Sequence, residues 1–302
     1  MTLSPTVGLL YPGEMGASVA TLLGSIGVRV VTTHAGRQDR TIRLSGEAGI
    51  EPLNSLADVV RQSALVISLV ETSAAVAVAQ SYATLAHMAP REAIYLDANS
   101  IGPETAQAIA TRIAAAGRDA VDGAFNGLAK NLAASGTLYL SGRRADEVAS
   151  VFGSAVRVRV LGPEIGQAST MKMLLGGLTK GTCALFLELA TLARQRNMLP
   201  EMVDACSMIY PGISALIDRM LPTYAQHSGR RLAEMRELEQ TLRNSGMEPG
   251  VVAAVRELHE QLAAIAFDPS DGANVASLVQ RTVSGGLLAA ATGPASAEPK
   301  VA

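Results

Sequence analysis

Residues 7–16 constrain the fold most strongly, because they predict a strand, a glycine turn and a helix in immediate succession. Four apolar or glycine residues, Val7–Leu10, are typical of a short buried parallel strand. Gly13 and Gly16 lie in the turn that follows, and residues 17–23 have the composition of a helix. Such a turn lets the backbone approach a diphosphate at the helix N-terminus. The segment therefore predicts the start of a dinucleotide-binding domain.

The glycine pattern of this turn is incomplete. In the usual G-x-G-x-x-G fingerprint the first position is glycine, whereas this chain has Tyr11 there. An ordinary strand, turn and helix without a ligand is the alternative interpretation. A second apolar run at residues 28–33 follows after Gly27 and completes a βαβ unit of about thirty residues. This spacing favours the dinucleotide site.

The end of the second strand predicts which dinucleotide is bound. A site selective for NAD(H) places Asp or Glu on the ribose 2′-hydroxyl about twenty residues after the glycines. Here residues 33–38 contain no carboxylate, and Arg40 and Arg43 follow Asp39. Neutral and cationic side chains suit a 2′-phosphate, so we predict NADP(H) rather than NAD(H). The alternative is that these arginines are simply solvated.

Composition limits the remaining possibilities. The 302 residues suffice for two domains, and the net charge of −2 gives no reason to expect nucleic acid or a membrane as partner. Cys183 and Cys206 lack the spacing of a metal site or a redox pair. We expect a cytoplasmic protein that binds small molecules and no metal.

Strand and helix patterns alternate through the first 160 residues and predict a doubly wound α/β (Rossmann) domain over residues 1–162. Further strands are predicted at residues 64–70, 93–97, 121–127, 137–142 and 156–160, and a helix at 54–60. Ligands of such sheets bind beyond the carboxyl ends of the strands. The residues at these ends are Leu69, Val70, Glu71, Asn99, Ser100, Asn126 and Gly127.

A long apolar helix is predicted at residues 166–193, buried on every side. Lys172, Lys180 and Glu188 interrupt it. Burial of a lysine disfavours its ammonium form, and enzymes obtain in this way an amine that exchanges protons near neutral pH. We assign that role to Lys172 and expect Lys180 to snorkel or to form a structural ion pair.

No strand pattern follows residue 200, so residues 163–291 are predicted to form an all-α domain joined to the first by the long helix. Breaks between helices are predicted at 211–212, 228–229, 246–250 and 268–269, and the tail 292–302 is predicted to be disordered. His227, Arg230 and Arg231 either bind a substrate anion or form a structural cluster at a helix end.

Four motifs resemble those of the β-hydroxyacid dehydrogenases and 6-phosphogluconate dehydrogenases. GLLYPGEMG at residues 8–16 resembles their G-x-I-G-x-G-x-M-G start, and DANS at 97–100 with Pro103 resembles D-x-S-T-x-x-P. DGAFNGL at 122–128 is similar to D-x-P-V-S-G-G. GQA at 166–168 with Lys172 resembles the interdomain-helix signature that contains the catalytic lysine.

The chain departs from these patterns at substrate-facing positions. Two extra residues separate Gln167 from Lys172, Gly176 replaces the family's Asn, and Asn126 begins the turn that is Ser-Gly-Gly in relatives. Lys172 and Met173 together with LTKG at 178–181 resemble a branch with a distinct 6-phosphogluconate dehydrogenase-like C-terminal domain.

The resemblance implies an NADP(H)-dependent oxidoreductase that transfers hydride between nicotinamide and a small carbonyl or hydroxy substrate, with Lys172 as general acid and base. It also implies a homodimer. Alternatives are an imine reductase and an NADPH-binding sensor or partner protein without turnover. The predicted cofactor residues are Tyr11, Pro12, Gly13, Glu14, Met15, Gly16, Thr33, His34, Arg37, Leu69, Val70, Glu71 and Asn99. The predicted substrate residues are Asn99, Ser100, Asn126, Gly127, Lys172 and Gly176.

Overall fold

The computed structural model describes residues 5–288, and the chain divides into two compact units, residues 1–175 and 176–302. The boundary between the units lies inside one continuous helix. The sequence predicts domains at residues 1–162 and 163–291, which would place that whole helix in the second domain. In the structure the helix is divided between the two units after Leu175. The predicted tail at 292–302 lies outside the described residues.

One eight-stranded sheet forms the centre of the first unit, with the order β3-β2-β1-β4-β5-β6-β7-β8. All neighbouring strands are parallel except β6 and β7. The strands are β1 (Val7–Leu10), β2 (Val30–Thr33), β3 (Glu51–Leu53), β4 (Leu65–Ser68), β5 (Ile94–Asp97), β6 (Asp119–Asn126), β7 (Thr137–Ser141) and β8 (Arg157–Gly162). The direction of winding reverses between β1 and β4, which confirms the predicted Rossmann topology and marks where ligands bind in such folds.

Helices cover both faces of this sheet because its strands are apolar on both sides. Val7 and Leu9 belong to one core, whereas Leu10 and Val66 belong to the other. The helices of this unit are α1 (Glu14–Ser25), α2 (Asp39–Glu47), α3 (Leu56–Gln62), α4 (Ala75–Leu85), α5 (Pro103–Ala115), α6 (Leu132–Ser135) and α7 (Ala145–Phe152). Alternate residues of one strand thus stabilise opposite layers.

The sequence interpretation missed α2 and β3. Arg40 and Arg43, expected to suit a 2′-phosphate or to be solvated, lie in α2 and form ion pairs with Glu14 and Glu47. The helix was missed because it has only nine residues, of which Ser45 alone is fully buried, so no apolar period stands out in the sequence. A strand of three residues is too short to show alternation.

The second unit is helical throughout its described residues. After α8 (Gln167–Gln195), which continues from the first unit, it contains α9 (Leu199–Ile209), α10 (Pro211–Met220), α11 (Tyr224–Asn244), α12 (Gly250–Ala264) and α13 (Val275–Ser284). Its core joins Cys183 and Leu187 of α8 to Tyr224, Leu262 and Leu278. The predicted break at 228–229 is wrong, because α11 continues through Gly229.

The expectation that α8 is buried on every side is also wrong. Leu178, Leu185 and Leu192 are 70%, 59% and 53% exposed. Their spacing of seven residues places them on one face of the helix. Composition alone could not reveal this face, because leucines occur on all sides of the helix. By length and composition α8 is the one described helix that could cross a membrane, with mean hydropathy 1.3 and a third of its most apolar window buried.

Candidate functional site

The turn between β1 and α1 has room for a diphosphate. Gly13 precedes α1 in an extended conformation, and a Cβ built on it would meet no atom within 4 Å. Gly16 lies close to the preceding turn, since its Cβ would lie 3.1 Å from Cβ of Pro12. The first backbone N–H groups of a helix lack acceptors within the helix and attract anions. These residues therefore fit the diphosphate of a dinucleotide.

Two predicted cofactor residues contact each other beside this turn. The Arg37 guanidinium lies 3.9 Å from the centre of the Tyr11 ring. Burial raises the pKa of the Tyr11 hydroxyl, and the nearby charge of Arg37 partly opposes this effect. Arg40 pairs with Glu14 at 2.6 Å and so compensates the carboxylate in the first turn of α1. Tyr11 and Arg37 thus connect the ends of β1 and β2.

The residues after β2 include a polar atom without a partner. Thr33 accepts a hydrogen bond from the backbone N–H of Ala35. Nε2 of His34 is buried and has no hydrogen-bond partner among the described residues. It can therefore form a further polar contact.

Asn99 connects the ends of β4 and β5. Its Oδ1 accepts from the backbone N–H of Val70 at 2.6 Å, and its Nδ2 donates to Ser68 Oγ and Asp97 Oδ1. The side chain is buried and engaged by the protein, so in this structure it positions the segment containing Leu69, Val70 and Glu71. The neighbouring Ser100 is half-buried, and its carbonyl accepts a hydrogen bond from Thr72.

Asp97, which the sequence analysis did not single out, is buried beside Asn99. Burial raises the pKa of its carboxyl group to about 7; the Asn99 backbone N–H opposes this rise, and the charge of Asp122 adds to it. Its Oδ2 has no hydrogen-bond partner in the described part of the chain. This carboxyl group therefore titrates near neutral pH.

Lys172 lies at the carboxyl end of β6. Its Nζ donates to the carbonyl oxygen of Phe125 at 2.8 Å. The next two residues, Asn126 and Gly127, are exposed. The structure thus brings together three residues that the sequence analysis assigned to one site. An amine at this position can donate or take a proton from a molecule bound against the strand end.

Asp122 is the polar residue of this site that sequence reasoning missed. It is 2% exposed and accepts hydrogen bonds from Ser141, Gly166 and Ser169. The only signal in the sequence was its place as the first residue of the 122–128 motif. Among the described residues no group of three potential metal-ligating side chains occurs.

In the second unit, the structural interpretation of Lys180 is confirmed. Lys180 pairs with Glu234 at 2.7 Å, and both side chains are largely buried. Gly176, the remaining predicted substrate residue, lies one turn before it, and a Cβ there would lie 3.0 Å from the Lys180 amine. Arg230 is exposed near Glu234. Arg231 is buried over the Tyr224 ring, so the predicted cation cluster does not converge on one surface.

Two known protein families match parts of the chain. Residues 6–154 match the NAD binding domain of 6-phosphogluconate dehydrogenase, and residues 193–262 match a domain of unknown function. An uncharacterized 28.5 kDa protein of Methanothermus fervidus is 24% identical over 258 residues, which are 85% of this chain and 98% of that protein.

Two solved structures resemble the chain. A conserved hypothetical protein from Sinorhizobium meliloti 1021 is 27% identical, with a TM-score of 0.67 over 93% of this chain and 97% of the other. The 3-hydroxyisobutyrate dehydrogenase of Salmonella typhimurium is 17% identical, with a TM-score of 0.73 over 91% and 99%. The latter likeness shows the fold alone.

Proposed function

Because this chain joins an NAD-binding domain of the 6-phosphogluconate dehydrogenase family to a helical C-terminal domain of unknown function, we propose that it is an NADP(H)-dependent oxidoreductase. Its substrate would be a small carbonyl or hydroxy compound of the 3-hydroxy acid class. The observation that carries the proposal is the Lys172 amine, held 2.8 Å from the Phe125 carbonyl beside the exposed end of β6.

Each residue group has a distinct task in this proposal. Gly13 and the first turn of α1 hold the diphosphate of the nicotinamide cofactor, which supplies or accepts the hydride. Lys172 donates a proton to the carbonyl oxygen during reduction and removes the hydroxyl proton during oxidation. Asn126 and Gly127 orient the substrate at the strand end. Asn99 fixes the neighbouring loop through Val70.

A substrate panel with two Lys172 variants tests the activity. Oxidation of NADPH is followed with aldehyde acids and cyclic imines, and reduction of NADP with 3-hydroxy acids. We expect Lys172→Ala to lower kcat by at least about a hundredfold, the usual contribution of a general acid or base. Lys172→Arg keeps the charge but exchanges no proton near neutral pH, so it should be equally slow.

Binding of NADPH, measured by fluorescence, should remain within about twofold of wild type in both variants. Turnover of Lys172→Ala at the wild-type rate would remove the lysine from the mechanism. Turnover of cyclic imines alone would identify an imine reductase. Tight NADPH binding without turnover of any compound would favour a sensor, an interpretation that the absence of an amide side chain at Gly176 also supports.

The preference for NADP(H) is part of the proposal. The residues after β2 include Arg37 and His34 and no carboxylate before Asp39. We expect NADPH to bind at least about tenfold more tightly than NADH, since a single charge-assisted contact to phosphate contributes that much. The variant Arg37→Ser should lower the ratio of the NADH dissociation constant to the NADPH dissociation constant. Equal dissociation constants in the wild-type protein would refute the preference.

We also propose that the protein is a cytoplasmic homodimer. The exposed face of α8 formed by Leu178, Leu185 and Leu192 supports this assembly. A contiguous apolar patch that is exposed on a protein surface often marks the place where another protein binds. A second copy of the chain would remove these leucines from water.

A further inference from the structure

Strand β6 contacts the start of α8 through one carboxylate. Oδ2 of Asp122 accepts from the backbone N–H groups of Gly166 at 2.9 Å and Ser169 at 3.0 Å, and from Ser141 Oγ at 3.1 Å. Oδ1 accepts from Ser169 Oγ at 2.6 Å. Four donors from two segments, β7 and the start of α8, therefore converge on one side chain, which is almost completely buried.

These bonds fix where α8 begins. Ser141 Oγ, itself bonded to Asp122, also accepts from the backbone N–H of Ala168 at 3.1 Å. The N–H groups of Gly166, Ala168 and Ser169 would otherwise lack acceptors, because no preceding turn of helix supplies them. A carboxylate at this end of a helix is further stabilised by the helix dipole. Asp122 thus acts as an N-terminal cap supplied by a neighbouring strand.

A second contact between the same two elements follows farther along. Phe125, on β6, accepts the hydrogen bond from Lys172 Nζ at 2.8 Å. Phe125 is three residues beyond Asp122, about 10 Å along a strand, and Lys172 is three residues beyond Ser169, about 4.5 Å along a helix. The extended lysine side chain spans the remaining distance. The position at which α8 begins beside Asp122 therefore sets where the lysine side chain leaves the helix.

We propose that Asp122 is the positioning residue that places the Lys172 amine at the strand end where the substrate reacts. The inference rests on the proposed function, in which Lys172 exchanges the substrate proton. A helix that shifted by one residue would move 1.5 Å along its axis and turn by about 100°, which would carry the lysine away from Phe125. Asp122 touches neither substrate nor cofactor in this proposal.

The experiment compares Asp122→Asn with Asp119→Asn. Both changes replace a carboxylate of β6 by an amide, but Asp119 is half-exposed and pairs with Arg144, away from α8. In Asp122→Asn the charge is lost. An amide that keeps its oxygen toward the N–H groups of Gly166 and Ser169 must place its N–H₂ on Ser169 Oγ, which then accepts instead of donating, and the bonds to the backbone are no longer charge-assisted. With the active sites counted by NADPH titration, we expect kcat to fall by about ten- to a hundredfold. The dissociation constant of NADPH should stay within about twofold, and Asp119→Asn should match wild type in both.

The environment of the Lys172 side chain can also be measured without turnover, by NMR. The sequence contains four lysines, Lys130, Lys172, Lys180 and Lys300. Labelling lysine with ¹³C at the ε position therefore gives a simple NMR spectrum, in which the Lys172 signal is identified by its loss in Lys172→Arg. We expect this signal to move in Asp122→Asn and to remain unchanged in Asp119→Asn. An unchanged signal in Asp122→Asn would overturn the proposal, as would an unchanged kcat per NADPH site.

Two milder variants serve if Asp122→Asn fails to fold. Ser169→Ala removes only the bond to Oδ1, and Ser141→Ala removes the bonds of its hydroxyl to Asp122 and Ala168. Both should move the Lys172 signal in the same direction, and an unmoved signal in both would contradict the inference. If the wild-type protein turned over no compound, the proposed function would fail, while the lysine signal would still decide whether Asp122 positions the amine.

Discussion

The buried carboxyl group of Asp97 makes the stability of the protein depend on pH in a way that can be measured. The side chain is 3% exposed, and burial raises the pKa of its carboxyl group from 3.8 to about 7. A change of one in pKa corresponds to about 1.4 kcal/mol, so the protonated form is favoured in the folded protein by about 4 kcal/mol relative to the unfolded chain. Asn99 donates to Oδ1, whereas Oδ2 has no partner in the described part of the chain.

The pH dependence follows from the direction of this change. Between about pH 4 and pH 7 the folded protein holds a proton on Asp97 that the unfolded chain has released. The free energy of unfolding contributed by this group is therefore fully present below pH 4 and is lost as the pH rises through about 7. Above that value Asp97 is ionised in both states, and its contribution no longer changes.

The variant Asp97→Asn removes this titration with little change in shape. Its Oδ1 can still accept from Asn99, while its Nδ2 replaces Oδ2 and finds no acceptor, which costs about 1–3 kcal/mol. Wild type loses about 4 kcal/mol of its free energy of unfolding when Asp97 ionises. At pH 8 the variant should therefore be more stable than wild type by about 1–3 kcal/mol. At pH 5 the two proteins should differ much less, or wild type should be the more stable.

Urea unfolding followed by circular dichroism at pH 5 and pH 8 measures this difference. Subtracting wild type from variant cancels the other titrating groups. Asp146→Asn, at an exposed position in α7, is the matched control and should give the same difference at both pH values. A difference between Asp97→Asn and wild type that did not change between pH 5 and pH 8 would refute the assignment of the titration to Asp97.

Two further predictions concern α8. Lys180→Met should lower the free energy of unfolding by about 3–5 kcal/mol in urea titrations, because it leaves the largely buried Glu234 without its closest cation. Replacing Glu234 by Gln in the same chain should restore part of the loss, and full stability of Lys180→Met alone would contradict the buried-pair interpretation. Leu185→Glu should convert the proposed dimer to a monomer in light scattering coupled to size exclusion, whereas Val251→Glu, on an apolar residue 80% exposed on α12, should not. Identical masses for wild type and Leu185→Glu would remove this face of α8 from the dimer contact.

The sequence predicted the fold well where one physical signal dominated. Apolar runs such as Val7–Leu10 and residues 65–67 form strands because both faces of the sheet are covered by helices. The apolar composition of α8 led to a wrong prediction, that of a helix buried on every side. Its leucines satisfy the composition of a buried helix, but only the packing of its neighbours determines which face remains exposed.

The candidate site was predictable only in its exposed part. Asn126 and Gly127 follow a strand, and the rule that ligands bind at carboxyl ends was sufficient to select them. Asp122 could not be found in this way, because its partners Ser141, Gly166 and Ser169 are distant in the sequence and meet only in the folded chain. A buried carboxylate is defined by its donors, which a single sequence does not show.

The buried aspartates of the site and its exposed residues have different consequences for the choice of substrate. Asp97 and Asp122 occupy the aspartate positions of the motifs that this chain resembles. Asp97 accepts from the backbone N–H of Asn99 after β5, and Asp122 accepts from those of Gly166 and Ser169 at the start of α8. The differences from those motifs at Tyr11, Asn126 and Gly176 lie outside these hydrogen bonds, whereas Asn99 and the two extra residues between Gln167 and Lys172 belong to or adjoin them. In the proposed function, placement of the Lys172 amine depends on the buried aspartates, whereas selection among substrates depends on the side chains that face them. We therefore propose that the substrate of this chain differs in shape from 3-hydroxyisobutyrate.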